Sequence, residues 1–153
     1  FIQDRVGKDE KVYRMIKFRT MTGEPDPAEK CWTAKEEARI TRFGHFLRDY
    51  GLDELPQLIN IFKGDMSIVG PRSPLPAQVE AFSPHLKKMF KMRPGVLSLA
   101  AIMGRRSLTM EERYKLHVQY VETWSLMLDL KILWRGLFIV LGRESAKEIL
   151  PKD

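Results

Sequence analysis

The sequence predicts an α+β fold: one helix-rich domain spanning residues 1–153, with short strands and an N-terminal β-hairpin. Three observations lead there. Two apolar-rich stretches, Phe1 to Val6 and Val12 to Phe18, flank the polar turn Gly7-Lys8-Asp9-Glu10. From Thr41 onward the apolar spacing turns helical and is punctuated by capping residues. Strands and helices never settle into the regular βαβ alternation of a doubly wound sheet.

Taken in order, Ile16 and Phe18 alternate with Lys17 and Arg19, which predicts a hairpin with a basic face. Thr22-Gly23-Glu24-Pro25-Asp26-Pro27 reads as a loop by composition. Phe43, Phe46, Leu47 and Tyr50 mark a helix after Thr41, with Gly51 its natural stop. Asp53 stands where the next helix needs an N-cap, and Leu55, Leu58, Ile59 and Phe62 mark one face of that short helix, which ends at Gly64. Met66 to Val69 reads as a buried strand broken by Gly70-Pro71-Arg72. Ser83-Pro84 opens another helix, Arg93-Pro94-Gly95 closes it, and Val96 to Ile102 is strand-like or extended. Thr109-Met110-Glu111-Glu112 matches a capping box and opens a long helical region. Its later part, Leu126 to Leu141, is apolar on nearly every side, which suits a core helix or one lying in a membrane interface. Met89, Phe90 and Met92 are expected in the core.

A hydrophobic content of 44% is enough for a core at this length. The formal net charge of +6 favours anionic partners without choosing among nucleic acid, phosphate-bearing substrates and acidic lipid. The single cysteine, Cys31, excludes an internal disulfide and is expected to be a small buried or half-buried side chain. No stretch is long and apolar enough for an ordinary transmembrane helix. The chain opens on Phe1-Ile2-Gln3 without an initiating Met and reads as a fragment.

Asp53-Glu54 has two readings. An Asp at a helix start with Glu in the first turn is ordinary stabilising placement. The same placement would hold a carboxylate ionised and oriented, which suits a nucleophile attacking phosphorus. A negative diphosphate would then need cations, and Mg²⁺ with them, to be approached. Arginines are present for that purpose at or near turns: Arg48 five residues upstream, Arg72 after Gly70-Pro71, Arg93 before Pro94-Gly95, and Arg105 and Arg106 after Gly104. Other chemistries lack support. His45, His85 and His117 show no zinc-ligand spacing, and neither a P-loop nor a nucleophile elbow occurs.

Lys17-Phe18-Arg19-Thr20-Met21, Ile40-Thr41-Arg42-Phe43-Gly44, Leu52-Asp53-Glu54-Leu55-Pro56-Gln57-Leu58, Lys63 through Arg72 and Arg93-Pro94-Gly95 occur in the order seen in bacterial sugar transferases. The chain resembles their small monotopic phosphoglycosyl transferases and the catalytic domains of larger relatives. Gln3 to Gly7 and Trp124 to Lys131 extend the likeness over nearly the whole chain. The resemblance implies transfer of a phosphosugar from a nucleotide diphosphate sugar, expected to be UDP-linked, to polyprenol phosphate, releasing UMP. It implies Asp53 as nucleophile through a covalent phosphosugar intermediate, Glu54 assisting, and Mg²⁺ as cofactor held by Asp53 and Glu54. Arg48, Arg72 and Arg105 match basic positions at the active site, and Lys17 is a further candidate for phosphate contact. A membrane-inserted helix ahead of Phe1, amphipathic helices at the bilayer surface and a place on the cytoplasmic face of the inner or plasma membrane are also implied; a homo-oligomer is compatible with it.

The chain departs from the family pattern at three places. Ser73 stands where Pro is common. Leu97 to Met103 lacks the amides expected at positions 101 and 103, and His117 stands where Asp is common. The competing reading is a non-catalytic basic module that binds anionic membrane or nucleic acid. The aromatic residues are not interleaved with the basic turns in a nucleic-acid pattern, so nucleic acid is not expected as a partner.

Overall fold

The structure, a computed structural model, describes residues 1–23, 38–104 and 108–140. It is an α+β fold in which short elements pack around three apolar clusters. Strands β1 (Ile2–Val6) and β2 (Val12–Ile16) form the expected antiparallel hairpin, with Gln3 opposite Met15 and Arg5 opposite Tyr13. Paired residues share a face, and on this one Tyr13 and Met15 are buried. Lys17 continues the same odd-numbered series and is also largely buried, while Arg19, the other cation of the expected basic face, is exposed.

Two short extended segments, Thr20–Thr22 and Arg39–Thr41, then lie side by side. Met21 bridges Ile40, Thr22 N donates to Arg39 O (3.0 Å), and Thr41 N donates to Thr20 O (3.0 Å). Helix α1 (Arg42–Asp49) starts from this clasp, with Thr41 Oγ1 accepting from Gly44 N at 2.9 Å. Gly51 ends the run in the left-handed region (φ 66°).

Asp53 is not the N-cap. It sits with Glu54 in the first turn of a 3-10 helix, Leu52–Gln57, which runs into α2 (Leu58–Lys63). Pro56 inside this segment helps explain the tighter winding, because it offers no N–H to an α-helical ladder. The apolar face read from Leu55, Leu58, Ile59 and Phe62 is exposed, Phe62 at 91%. The inward side of α2 is made by Asn60, only 1% exposed. Its side chain accepts from Ile16 N (3.1 Å) and donates to Arg14 O (2.8 Å) and Asp65 Oδ2 (3.3 Å), tying the helix to the hairpin.

Strand β3 (Ser67–Val69) pairs in parallel with β4 (Gly95–Leu97), Ser67 opposite Gly95 and Val69 opposite Leu97. The connection carries α3 (Pro76–Val79) and the 3-10 helix Leu86–Lys91, the form taken by the helix expected from Ser83-Pro84. At the ends of these strands two backbones cross. A Cβ on Gly95 would run into Gly70 N, and one on Gly70 would lie 2.5 Å from Arg93 O. Gly95 N donates to Pro71 O (3.0 Å) and Gly70 N to Leu97 O (2.9 Å), so the residue leaving the crossing, Arg72, starts from a fixed point.

Of the extended stretch expected from Val96 to Ile102, only Val96 and Leu97 are strand, in β4 with Gly95. Ser98 Oγ then accepts from Ala101 N (3.2 Å) and starts α4 (Leu99–Met103), whose Leu99 and Ile102 are each 1% exposed. The positions where amides were expected are thus on a core helix. The capping box at Thr109 forms as read and opens α5 (Met110–Glu122). The long helical region breaks at Thr123–Ser125, where Ser125 Oγ accepts from Leu128 N (3.2 Å) and α6 (Leu126–Val140) begins.

The core lies between these elements. Val6, Val79, Met89, Phe90 and Val118 form one cluster, and Val69, Leu99, Ile102, Tyr120 and Ile132 a second, with Met92 packed against it. Tyr13, Met15 and Met66 form the third, under the hairpin. On helix α6 Ile132 is fully buried, while Leu126, Met127, Leu130, Trp134 and Leu137 are at least half exposed. No described helix is long and apolar enough to cross a membrane. Cys31 and Arg106 lie outside the described residues.

Candidate active site

The hairpin, the clasp, the 3-10 turn and the Gly70–Gly95 crossing open onto one cavity of about 200 Å³. Asp53, Arg48, Arg72 and Lys17 all line it, so four of the residues singled out from the sequence converge. Glu54 sits at its edge, in an adjoining crevice with Lys17 and Arg72. Arg105 lies outside the described residues. Arg93 does not join them: it is exposed, with its guanidinium beside Gly64.

The two carboxylates of the 3-10 turn have different surroundings. Glu54 Oε1 meets Lys17 Nζ at 2.9 Å and Arg72 Nη1 at 3.6 Å. Burial works to raise its pKa, but Lys17 and then Arg72 outweigh it and hold Glu54 below the ordinary value. Asp53 is shifted the other way. Burial, the largest effect, and the neighbouring charge of Glu54 raise its pKa, with Lys17 and Arg48 opposing. A helix-start carboxylate held ionised was the expectation; partial desolvation works against it, and a backbone hydrogen bond at Asp53 opposes the rise only in part. The Asp53 backbone oxygen accepts from Phe18 N at 3.0 Å, pinning the turn to the end of the hairpin.

The cations are positioned by the Glu54 carboxylate and by neutral oxygens. Arg48 Nε donates to Thr20 Oγ1 (2.9 Å), a hydroxyl buried within the clasp. Burial, then Arg72, lower the Lys17 pKa against the pull of Glu54. Reasoning from sequence missed Gln3, Arg5, Arg19 and Arg39, which also line the cavity. Arg5 donates to Ser73 O (3.1 Å) and to Gln3 Oε1 (2.8 Å), and burial followed by Arg72 lowers its pKa to about 10. Its signal was available: Gln3 and Arg5 alternate on the hairpin face that also carries Tyr13 and Met15. Ser73, a departure from the family pattern, is buried and accepts from Tyr13 OH at 2.9 Å.

His117 is buried on α5, its Nδ1 without a hydrogen-bond partner and its ring edge-on to Tyr114. Burial, then Arg72 and Arg113, lower its pKa to about 3, so the imidazole is neutral where an acidic contact was the family expectation. Among the described residues no group of three His, Cys, Asp or Glu side chains could enclose a metal. A Mg²⁺ ion needs less, since it is commonly held by one or two carboxylates together with substrate phosphates. Asp53 and Glu54, adjacent on one turn, are the carboxylates that would hold it, and both cations contact the same Glu54 oxygen.

A pair of carboxylates, one neutralised and one partly desolvated, among several guanidiniums is suited to bringing an anionic diphosphate up to a nucleophile. The profile of the bacterial sugar transferase family matches residues 1–143. The sugar transferase EpsL of Bacillus subtilis, described as uncharacterized, is 41% identical over 97% of this chain and 72% of its own length. The galactosyl transferase CpsE of Streptococcus agalactiae is 36% identical over 96% of the chain, which spans 35% of that relative. A UDP-glucose:undecaprenyl-phosphate glucose-1-phosphate transferase of Caulobacter vibrioides is 36% identical over 95% of the chain and 58% of its own length. The chain belongs to the bacterial sugar transferase family.

Proposed function

We propose that the chain is the catalytic unit of a phosphoglycosyl transferase, which moves a sugar phosphate from a UDP-sugar to a polyprenol phosphate such as undecaprenyl phosphate. The observation that carries this reading is Asp53 lining a cavity whose other walls bring Lys17, Arg48 and Arg72 around it, while Glu54 is already neutralised. The names of the relatives supply the substrate classes.

An Asp53 carboxylate oxygen attacks the sugar-bearing phosphorus. A P–O bond to that oxygen forms, the diphosphate bridge breaks, and the bridging oxygen leaves on UMP. The polyprenol phosphate oxygen then attacks the same phosphorus, the bond to Asp53 breaks, and polyprenol diphosphate sugar is released. Desolvation of Asp53 strips water from the attacking oxygen. The cations lower the electrostatic cost of an anion approaching an anion. Lys17 and Arg72 hold Glu54 oriented beside the nucleophile. Mg²⁺, held by Asp53 and Glu54 with diphosphate oxygens, would supply further charge neutralisation.

A lipid acceptor requires a membrane surface, and the exposed apolar side chains favour one. Phe43, Phe46 and Tyr50 on α1 continue into Leu55, Leu58, Ile59 and Phe62, and Trp134 and Leu137 project from α6. The net charge suits an anionic leaflet, and we place the protein on the cytoplasmic face of the inner or plasma membrane.

The test is release of UMP from UDP-glucose and UDP-galactose in the presence of Mg²⁺ and undecaprenyl phosphate. Asp53→Asn is expected to abolish release and to prevent any label from sugar-phosphate remaining on denatured protein. Normal turnover by folded Asp53→Asn would remove the nucleophile assignment.

A further inference from the structure

The cavity has two differently built cationic walls. On one, Lys17 and Arg72 share Glu54 Oε1. On the other, Arg39 and Arg48 are held by the clasp: Arg39 Nε donates to Thr22 O at 3.0 Å, and Arg48 Nε to Thr20 Oγ1 at 2.9 Å. The clasp is cross-tied by its own backbone, so both guanidiniums are anchored before any ligand arrives. Such preorganisation lowers the cost of ordering a cation on binding. Next along the chain from the clasp, and lining the same cavity, Arg19 lies over the Phe1 ring, 5.5 Å from its centroid. A guanidinium stacked on an aromatic ring makes a flat surface of the kind a planar base can meet.

A nucleotide sugar has two phosphorus centres, and only the one bearing the sugar is attacked. The other leaves with the nucleoside and needs its own hold while charge builds on the bridging oxygen. We propose that Arg39, with Arg48, forms the subsite for this departing nucleoside monophosphate, leaving the Lys17–Arg72 wall to the sugar-bearing phosphate. Arg39 is then a binding residue that meets the leaving phosphate. Thr20 is a positioning residue, acting through Arg48. The inference rests on the phosphosugar-transfer reading and adds to it which wall takes which phosphate.

The experiment uses the full-length protein with UDP-glucose or UDP-galactose, undecaprenyl phosphate and Mg²⁺, comparing wild type with Arg39→Gln and Thr20→Val. Three quantities are read: inhibition by added UMP, KM for the donor and KM for undecaprenyl phosphate. Loss of a charge-assisted contact should raise the UMP inhibition constant and donor KM about tenfold or more in Arg39→Gln. Thr20→Val should raise both roughly two- to fivefold, the cation being kept but loosened. The acceptor KM should rise as well, because in an in-line double displacement the acceptor oxygen enters opposite Asp53, where the UMP oxygen left. Melting temperatures report whether each variant is folded, and if Arg39→Gln is not, Thr20→Val decides. UMP inhibition and donor KM unchanged in the folded variants overturn the assignment. A wild-type protein that transfers no sugar phosphate from any UDP-sugar fails differently: it removes the underlying reading.

Discussion

Replacing Lys17 by Met isolates the interaction that separates the two carboxylates. Lys17 Nζ lies 2.9 Å from Glu54 Oε1, and the two side chains are 14% and 22% exposed. Removing one partner of a buried ion pair ordinarily costs about 3–5 kcal/mol. Two features reduce that here. Arg72 remains 3.6 Å from the same oxygen, although its side chain is 54% exposed, and Met keeps much of the aliphatic packing of the lysine stem. The variant should therefore lose about 2–3 kcal/mol at pH 7.5, or roughly 5–10 °C of melting temperature for a chain of this size. The pH dependence follows from the sign of the Glu54 shift. In the wild type its pKa lies below 4.5, so its stabilisation is present above that value and lost as pH falls through the folded pKa. In Lys17→Met, burial is opposed only by Arg72 and the pKa rises. The variant then takes up a proton that the wild type does not, and the stability gap should narrow on acidification. Melting curves of both proteins in matched buffers from pH 7.5 downward check this. An unchanged melting temperature at pH 7.5, or a gap that widens as pH falls, would refute the account of Glu54 as a buried carboxylate held charged by Lys17.

Two further outcomes are expected. Asn60→Leu strands the Ile16 N–H and the Arg14 carbonyl at the junction of α2 with the hairpin, and should cost about 2–4 kcal/mol; a melting temperature within about 2 °C of wild type at this chain size would contradict it. Leu58→Glu combined with Phe62→Glu, on the exposed face of α2, should weaken cosedimentation with phosphatidylcholine–phosphatidylglycerol vesicles by about tenfold or more. Equal binding by the double variant would exclude this face from the membrane contact.

The elements legible in the sequence were those set by local chemistry. Thr41 caps α1, Gly51 stops it, Thr109 and Glu112 make a capping box, and the two apolar stretches around Gly7–Glu10 pair as a hairpin. What resisted reading depends on distant partners. Leu97 to Met103 is a short apolar run of the sort that periodicity cannot assign, and a hydrogen bond from Ala101 N to Ser98 Oγ tips its second half into helix. In the site, Asp53, Arg48 and Arg72 could be named because they belong to motifs. The pairing of Lys17 with Glu54 spans 37 positions in the chain, and the clasp that presents Arg39 joins segments 17 apart. The rise of the Asp53 pKa could not be read for a related reason: desolvation is a property of the assembled cavity and leaves no mark on the local sequence.

The Gly70–Gly95 crossing has a consequence for how such a domain can diversify. Main chain touches main chain there, with no side chain between them to be exchanged, and Arg72 departs from that point. On the proposed reading, the hold on phosphate is thereby insulated from mutational drift in the cavity lining. Positions such as Phe1, Phe18 and Met21 can change size or polarity, and with them the sugar or base accepted, while the crossing keeps a guanidinium on station. Donor preference and reaction chemistry become separable traits, able to vary on different timescales within one small fold.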